Sequence, residues 1–214
     1  MSALAALGMA NVAMRRGEYD LANDWVGDAS RLYAALRDEP GRVDAGLTRA
    51  HILAEEGSID EARDAYHSVS ARAVDLGLPW VELTAHAGAS LCDPEGRVSE
   101  RDSRWRRINE LLGSAPADWW FAGRERVDAL AIRMALGSGH LSVAFGLFER
   151  AVALAEGRDA WATCWLVAQV GQPLVDAGLP AARATILVAA RRANEHDFAS
   201  LVRRFAPQVL PANA

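Results

Sequence analysis

Three side chains raise the question of chemistry first. His51 and Glu55 stand four residues apart, so on a helix they share one face, and His86 falls where an adjacent helix could bring it near. Imidazole and carboxylate are the donors of a metal pair, or of a switch that titrates near neutral pH. The sequence forces no third ligand and contains no HExxH. The expectation is therefore a structural or solvent-facing role for these residues, with no metal and no cofactor. His67, His140 and His196 fall into no pattern. A second candidate is RVSERDSRWRRINELL, residues 97–112. On a helix, Arg97, Arg101 and Arg104 share one face, and Trp105, Ile108 and Leu112 share another. Five arginines in eleven residues suit phosphate contacts. Glu100, Asp102 and Glu110 interleave with them, as on an ordinary solvated face with i,i+4 pairs. Nucleic acid is accordingly not the expected partner, and the net charge of −5 agrees.

No other constellation rises above background. All 23 basic residues are arginine, which excludes a catalytic lysine, a lysine Schiff base and a phosphate loop of the GK[ST] type. No nucleophile stands beside a base, and the acids fall mainly on polar stretches such as Glu55-Glu56 and Asp60-Glu61. Catalysis is not expected. Cys92 and Cys164 lie far apart in apolar runs without CxxC spacing, as small hydrophobes in a reducing compartment do. No apolar run reaches membrane-spanning length. The opening MSALAALGMANVAMRRG carries its charges after the apolar stretch, unlike a signal peptide, and reads as a first amphipathic helix. The expected location is cytoplasmic, with no membrane partner.

The elements that must position any site are legible in a repeat. RRGEYDLA at 15–22 returns as EEGSIDEA at 55–62, and Gly17, Gly57, Gly96, Gly139 and Gly178 are separated by 40, 39, 43 and 39 residues. Chemistry agrees at fixed offsets from these glycines. Nine residues on stand Val26, Tyr66, Trp105, Phe148 and Leu187; twelve on stand Ala29, Val69, Ile108, Ala151 and Ala190. Four before stand Ala13, Leu53, Cys92, Ala135 and Leu174; seven before stand Ala10, Ala50, Ala89, Ile132 and Gly171. The steps of three within each pair are helical. Each unit thus reads as a helix, a turn closed by glycine at positive φ, and a second helix. Pro40 and Pro79 each precede the next anchor by 17 residues, in the first turn of a helix where proline is tolerated. The spacing predicts helices over 2–16, 19–37, 40–55, 59–76, 79–92, 97–112, 117–137, 140–156, 159–176, 180–195 and 197–206, and no strand.

This pattern resembles the tetratricopeptide repeat. Ala10-Gly17-Tyr19-Ala22, Ala50-Gly57-Ile59-Ala62-Tyr66 and Gly139-Leu141-Ala144-Phe148 carry the resemblance, while Arg101 and Arg183 stand where alanine is expected in units three and five. The long period is similar to that of the repeats in large bacterial transcription activators and signalling proteins. The resemblance implies an all-α, right-handed superhelical solenoid of about five antiparallel helix pairs plus a C-terminal capping helix. Its expected layout is a single domain over 1–206, with units at about 1–38, 39–77, 78–113, 114–157 and 158–196, a cap at 197–206 and a frayed tail at 207–214.

The family's partner face is the concave one, lined by the first helices. Six residues before each glycine stand Asn11, His51, Ser90, Arg133 and Gln172, all polar, flanked by Leu7, Leu47, His86, Ala129 and Ala168. With Trp165, this row is the expected groove for a protein or peptide. Trp119, Trp120 and Phe121 fall consecutively in the longest unit, so a helix cannot bury all three on one face. They are candidates for an aromatic anchor, with packing inside the chain as the competing fate. At the start, Leu4, Leu7 and Met9 have no preceding unit to cover them. That points to self-association through this end, or to a segment of a larger protein. The implied function is a non-catalytic interaction scaffold or adaptor. One alternative is the sensory or regulatory module of a transcription activator whose effector domains lie elsewhere. Another is a small-molecule-binding helical repeat with a pocket lined by Trp161, Trp165 and residues 119–121.

Overall fold

The computed structural model describes residues 1–93, 98–113 and 120–209, with the backbone alone at 98–102 and 209. The described residues are helical throughout, joined by short turns. The helices are α1 (Ala3–Arg16), α2 (Tyr19–Leu36), α3 (Glu39–Glu56), α4 (Ile59–Leu76), α5 (Pro79–Cys92), α6 (Val98–Gly113), α7 (Arg124–Gly137), α8 (Leu141–Ala155), α9 (Ala160–Asp176), α10 (Ala182–Glu195) and α11 (Ala199–Val209). The packing divides the chain into two compact units, Met1–Trp119 and Trp120–Ala214. The first holds α1 to α6 and the second α7 to α11.

Local chemistry sets the boundaries. Gly17, Gly57, Gly139 and Gly178 lie at φ between 73 and 100°, where a Cβ would be strained; Gly96 lies outside the described residues. The Ser2 hydroxyl caps α1 by accepting from the Ala5 N–H, and the Asp38 carboxylate caps α3 by accepting from the Gly41 N–H. Pro40 and Pro79 sit in the first turns of α3 and α5, as their missing N–H allows.

In the first unit each helix packs on the next, and α3 also touches both α1 and α5. The shared core runs through Leu47, Leu53, Tyr66, Val69, Val81 and Ala85, on α3, α4 and α5. Tyr66 is fully buried and presses its ring onto α5 at Gly88; any Cβ there would collide with it. Tyr33 does the same to Gly41 one hairpin earlier. A bulky ring seated in a glycine notch of the next helix is therefore the recurring wedge of this unit. In the second unit α9 is the hub, touching α7, α8, α10 and α11. Gly171 lies 2.7 Å, measured from an ideal Cβ, from Ile186 of α10.

Three expectations about the elements are corrected. A helix from 117 fails over its described part: Trp120–Phe121 is irregular, and Gly123, at φ 88°, places the start at Arg124. The last helix does not stop before Pro207 but runs through it to Val209. The fifth unit is out of register by one. Leu187 and Arg183 are exposed, and Ile186 and Ala182 occupy the buried positions. The cause is the turn: Ala182 donates to the Leu179 carbonyl and Arg183 to the Pro180 carbonyl. These are i→i−3 bonds, so α10 begins with a tighter, three-residue turn that rotates its faces ahead. In the remaining units, Val26, Tyr66 and Phe148 are buried as expected and Trp105 is half-buried. Burying a side chain of Phe size contributes about 1.5–3 kcal/mol.

The start of α1 is uncovered only in part: Leu4 is 73% exposed and Met9 and Val12 43% and 45%, whereas Leu7, expected to be uncovered, is buried. At the same offset from the turn glycine, Ile52 of α3 is buried where Val12 of α1 is exposed, while Arg49, the counterpart of Met9, is exposed too.

Candidate functional site

In the first unit the polar row turns inward. Asn11 is half-buried and its amide donates to the Leu7 carbonyl one turn back, 3.1 Å away. Ser90 is buried and its hydroxyl donates to the His86 carbonyl at 2.9 Å. His51 is buried with its ring 5.7 Å from that of Tyr66, tilted by 54°. His51 is thus a core residue and not a solvent-facing one. Glu55 is buried as well. Among the described residues no three His, Cys, Asp or Glu side chains are grouped to hold a metal.

His86 belongs instead to a charged cluster that joins α4, α5 and α6. Its Nε2 lies 3.6 Å from Oε1 of Glu82, one turn earlier. Glu82 is almost wholly buried and receives Arg107 of α6 in a fork: Nε donates to Oε1 at 2.6 Å and Nη2 to Oε2 at 3.1 Å. Such a bidentate pair is the strongest form of charged hydrogen bond. Arg104, buried rather than on the solvated face expected for it, brings Nη1 to 3.3 Å from Nε2 of His67. Burial pushes the His86 imidazole below its ordinary pKa; Glu82 opposes this, and His67, Arg104 and Arg107 add to it. The side chains of Arg97 and Arg101 lie outside the described residues. The cluster was missed from sequence, yet it left a signal. Glu82 is the single acid in PWVELTAHAGASLC, and an acid in so apolar a helix must be paired if the helix is buried.

In the second unit the row remains open to more. Arg133 on α7 is half-buried, and its Nη2 reaches only the Gln169 carbonyl at 3.4 Å and side-chain oxygen at 3.5 Å on α9. These bonds are long, and no carboxylate pairs with Arg133 among the described residues. Burial lowers its pKa. Gln172, half-buried, donates to Asp176 at 2.7 Å, one turn ahead on α9.

Trp165 is buried, with the Arg126 guanidinium stacked 4.5 Å from its ring centroid. Arg126 in turn bonds Glu125, and Arg124 pairs with Asp128 at 3.1 Å. The first turn of α7 therefore buries charges of both signs, and of these Arg126 lies on the tryptophan ring. Trp161 is also buried, edge-on to Phe198 at 5.4 Å. Both tryptophans are thus buried in contacts within the second unit. Phe121 is buried beneath Arg124, whose guanidinium lies 5.8 Å from the ring centroid. Trp120 is half-buried, and Trp119 lies outside the described residues. Cys164 is buried, donates to the Ala189 carbonyl at 3.4 Å and has its pKa pushed up to about 11 by burial. Among the described residues, no helix is long and apolar enough to cross a membrane. No protein-family model matches this chain, and no curated protein matches it.

Proposed function

We propose that this chain is a non-catalytic interaction module of the tetratricopeptide kind, a right-handed solenoid of about five helix pairs and a cap that holds a peptide or partner protein. The observation that carries this reading is Arg133. A guanidinium partly stripped of water, with long bonds to one glutamine and no carboxylate, is a costly arrangement when left alone. A carboxylate from a partner segment would complete it with two parallel hydrogen bonds. Gln172, on α9 like Gln169, extends the polar row for the partner's backbone. The exposed apolar face of α1 is the surface for self-association in the same reading; light scattering that returned a strict monomer at high concentration would remove that part.

The test is a pull-down from native lysate with the full chain, beside Arg133→Glu and Gln172→Arg variants checked by circular dichroism. A defined partner captured by the parent chain and lost with Arg133→Glu supports the reading. Capture that survives both changes places the surface elsewhere. Failure to capture any partner argues against an interaction module.

A further inference from the structure

A groove of about 640 Å³ opens on the first unit between α2 and α4, with α3 as its floor. It continues past Gly46 and Arg42 into a second hollow of about 250 Å³. The larger hollow is within the range of ligand clefts, about 300–1,000 Å³. None of the residues assigned to the polar row lines it. Its floor is small, Ala45 and Gly46, so a backbone can approach α3 closely.

The charges along this floor are unevenly used. Arg42 and Arg72 both bind Glu39, at 2.6 and 2.8 Å. Arg49, in the middle of the floor, has no ion pair among the described residues, and neither do Glu56 and Glu61 at the far mouth. The groove thus presents one unused cation and, farther along, two unused anions. Asn23, Ser30 and Ser58 stand along its walls and floor end. Side-chain donors and acceptors of this kind serve an extended peptide, whose backbone groups lack partners, better than a helix, whose groups are already paired.

We infer that this outer groove docks an extended peptide segment of a partner protein, carrying an acidic residue and, three positions away, a basic one. The spacing follows from geometry. Arg49 and Glu56 are seven residues apart on α3, about 10 Å at a helical rise of about 1.5 Å. An extended chain in the polyproline II form covers that distance in about three residues at about 3.1 Å each, and its three-residue turn puts both side chains on the face toward α3. The acid seats on Arg49 and the base over Glu56 and Glu61. The inference rests on reading the chain as an interaction module but uses a surface separate from Arg133.

The experiment selects a phage-displayed library of random dodecapeptides on the full chain. The best synthetic peptide is then measured by fluorescence anisotropy against the parent and three variants: Arg49→Glu, Glu56→Arg with Glu61→Arg, and Arg133→Glu. Arg49, Glu56 and Glu61 are exposed, so these variants should keep the parent's circular dichroism spectrum. The expected result is enrichment of an acid and a base three apart. Affinity should fall about tenfold or more with either groove variant, since like charges are then opposed. A peptide with its acid changed to lysine should regain binding to Arg49→Glu. Peptides indifferent to Arg49→Glu overturn the groove; if the same peptides are lost with Arg133→Glu, the proposed function stands without it. Absence of any enriched sequence also overturns the groove, and the pull-down then decides the broader reading by itself.

Discussion

At the scale of single residues, the wedge and two titrating groups make the sharpest statements. Gly88 leaves no room for a methyl group against the buried Tyr66 ring. Gly88→Ala should therefore cost about 1–3 kcal/mol in urea denaturation, the usual effect of overpacking, although alanine is the better helix former. Asp44 is partly buried near Asp38, and burial first, then that neighbour, raises its pKa to about 6. A raised carboxyl binds its proton more tightly folded than unfolded. Its contribution is present below the ordinary value of 3.8 and is lost as pH rises through about 6. Asp44→Asn should accordingly stabilise the protein at pH 7.5 and leave it nearly unchanged at pH 4, as denaturation midpoints would reveal. His86 has the opposite sign. Its lowered pKa means the unfolded chain takes up the proton first, so stability is present above 6.5 and is lost as pH falls below it. His86→Gln should narrow the loss between pH 7.5 and 5.5; an unaltered pH profile would mean that the imidazole binds its proton equally well folded and unfolded.

At the scale of elements, α6 shows how charge helps hold one helix to the next. Its fork to Glu82 ties it to α5. Arg107→Ala would leave a buried carboxylate short of partners, a loss of roughly 1–3 kcal/mol. Hydrogen exchange should show α6 losing protection before α3 and α4. Equal protection across all three would mean the pair contributes nothing. The same helix marks where sequence reading stops. Its arginines have the spacing of a solvated face, yet Arg104 is buried and Arg107 reaches inward. Periodicity records which side is apolar, but not whether a neighbouring helix supplies a carboxylate. The helices themselves were legible, because glycine at the turn, alanine five residues on and a large residue at nine are each a local steric requirement. The fifth unit escaped because Pro180 and the tight turn after it alter the rotation per residue, which no offset counted from glycine contains. The start of α7 escaped because apolar Trp120 and Phe121 continue the pattern where the backbone breaks. The polar row was legible as a stripe; that His51 and Ser90 would be buried was not, since alanine-rich helices approach closely enough to close over it.

At the scale of the whole molecule, the division into two compact units governs how damage spreads. A change such as Gly88→Ala acts on contacts inside Met1–Trp119. Proteins open locally in contiguous cooperative units, so α7 to α11 should keep their exchange protection when the wedge is spoiled. The two thiols make this measurable without any engineering. Cys92 ends α5 in one unit and is half-buried; Cys164 is sealed within α9 in the other, and neither is in a disulfide. Each unit therefore carries its own chemical clock. An alkylating reagent added in mild denaturant should mark Cys92 early and Cys164 only when α9 parts from α10. Mass spectrometry would see singly labelled chains accumulate before doubly labelled ones. A population that jumped directly from none to two would reveal one cooperative block where the packing draws a seam.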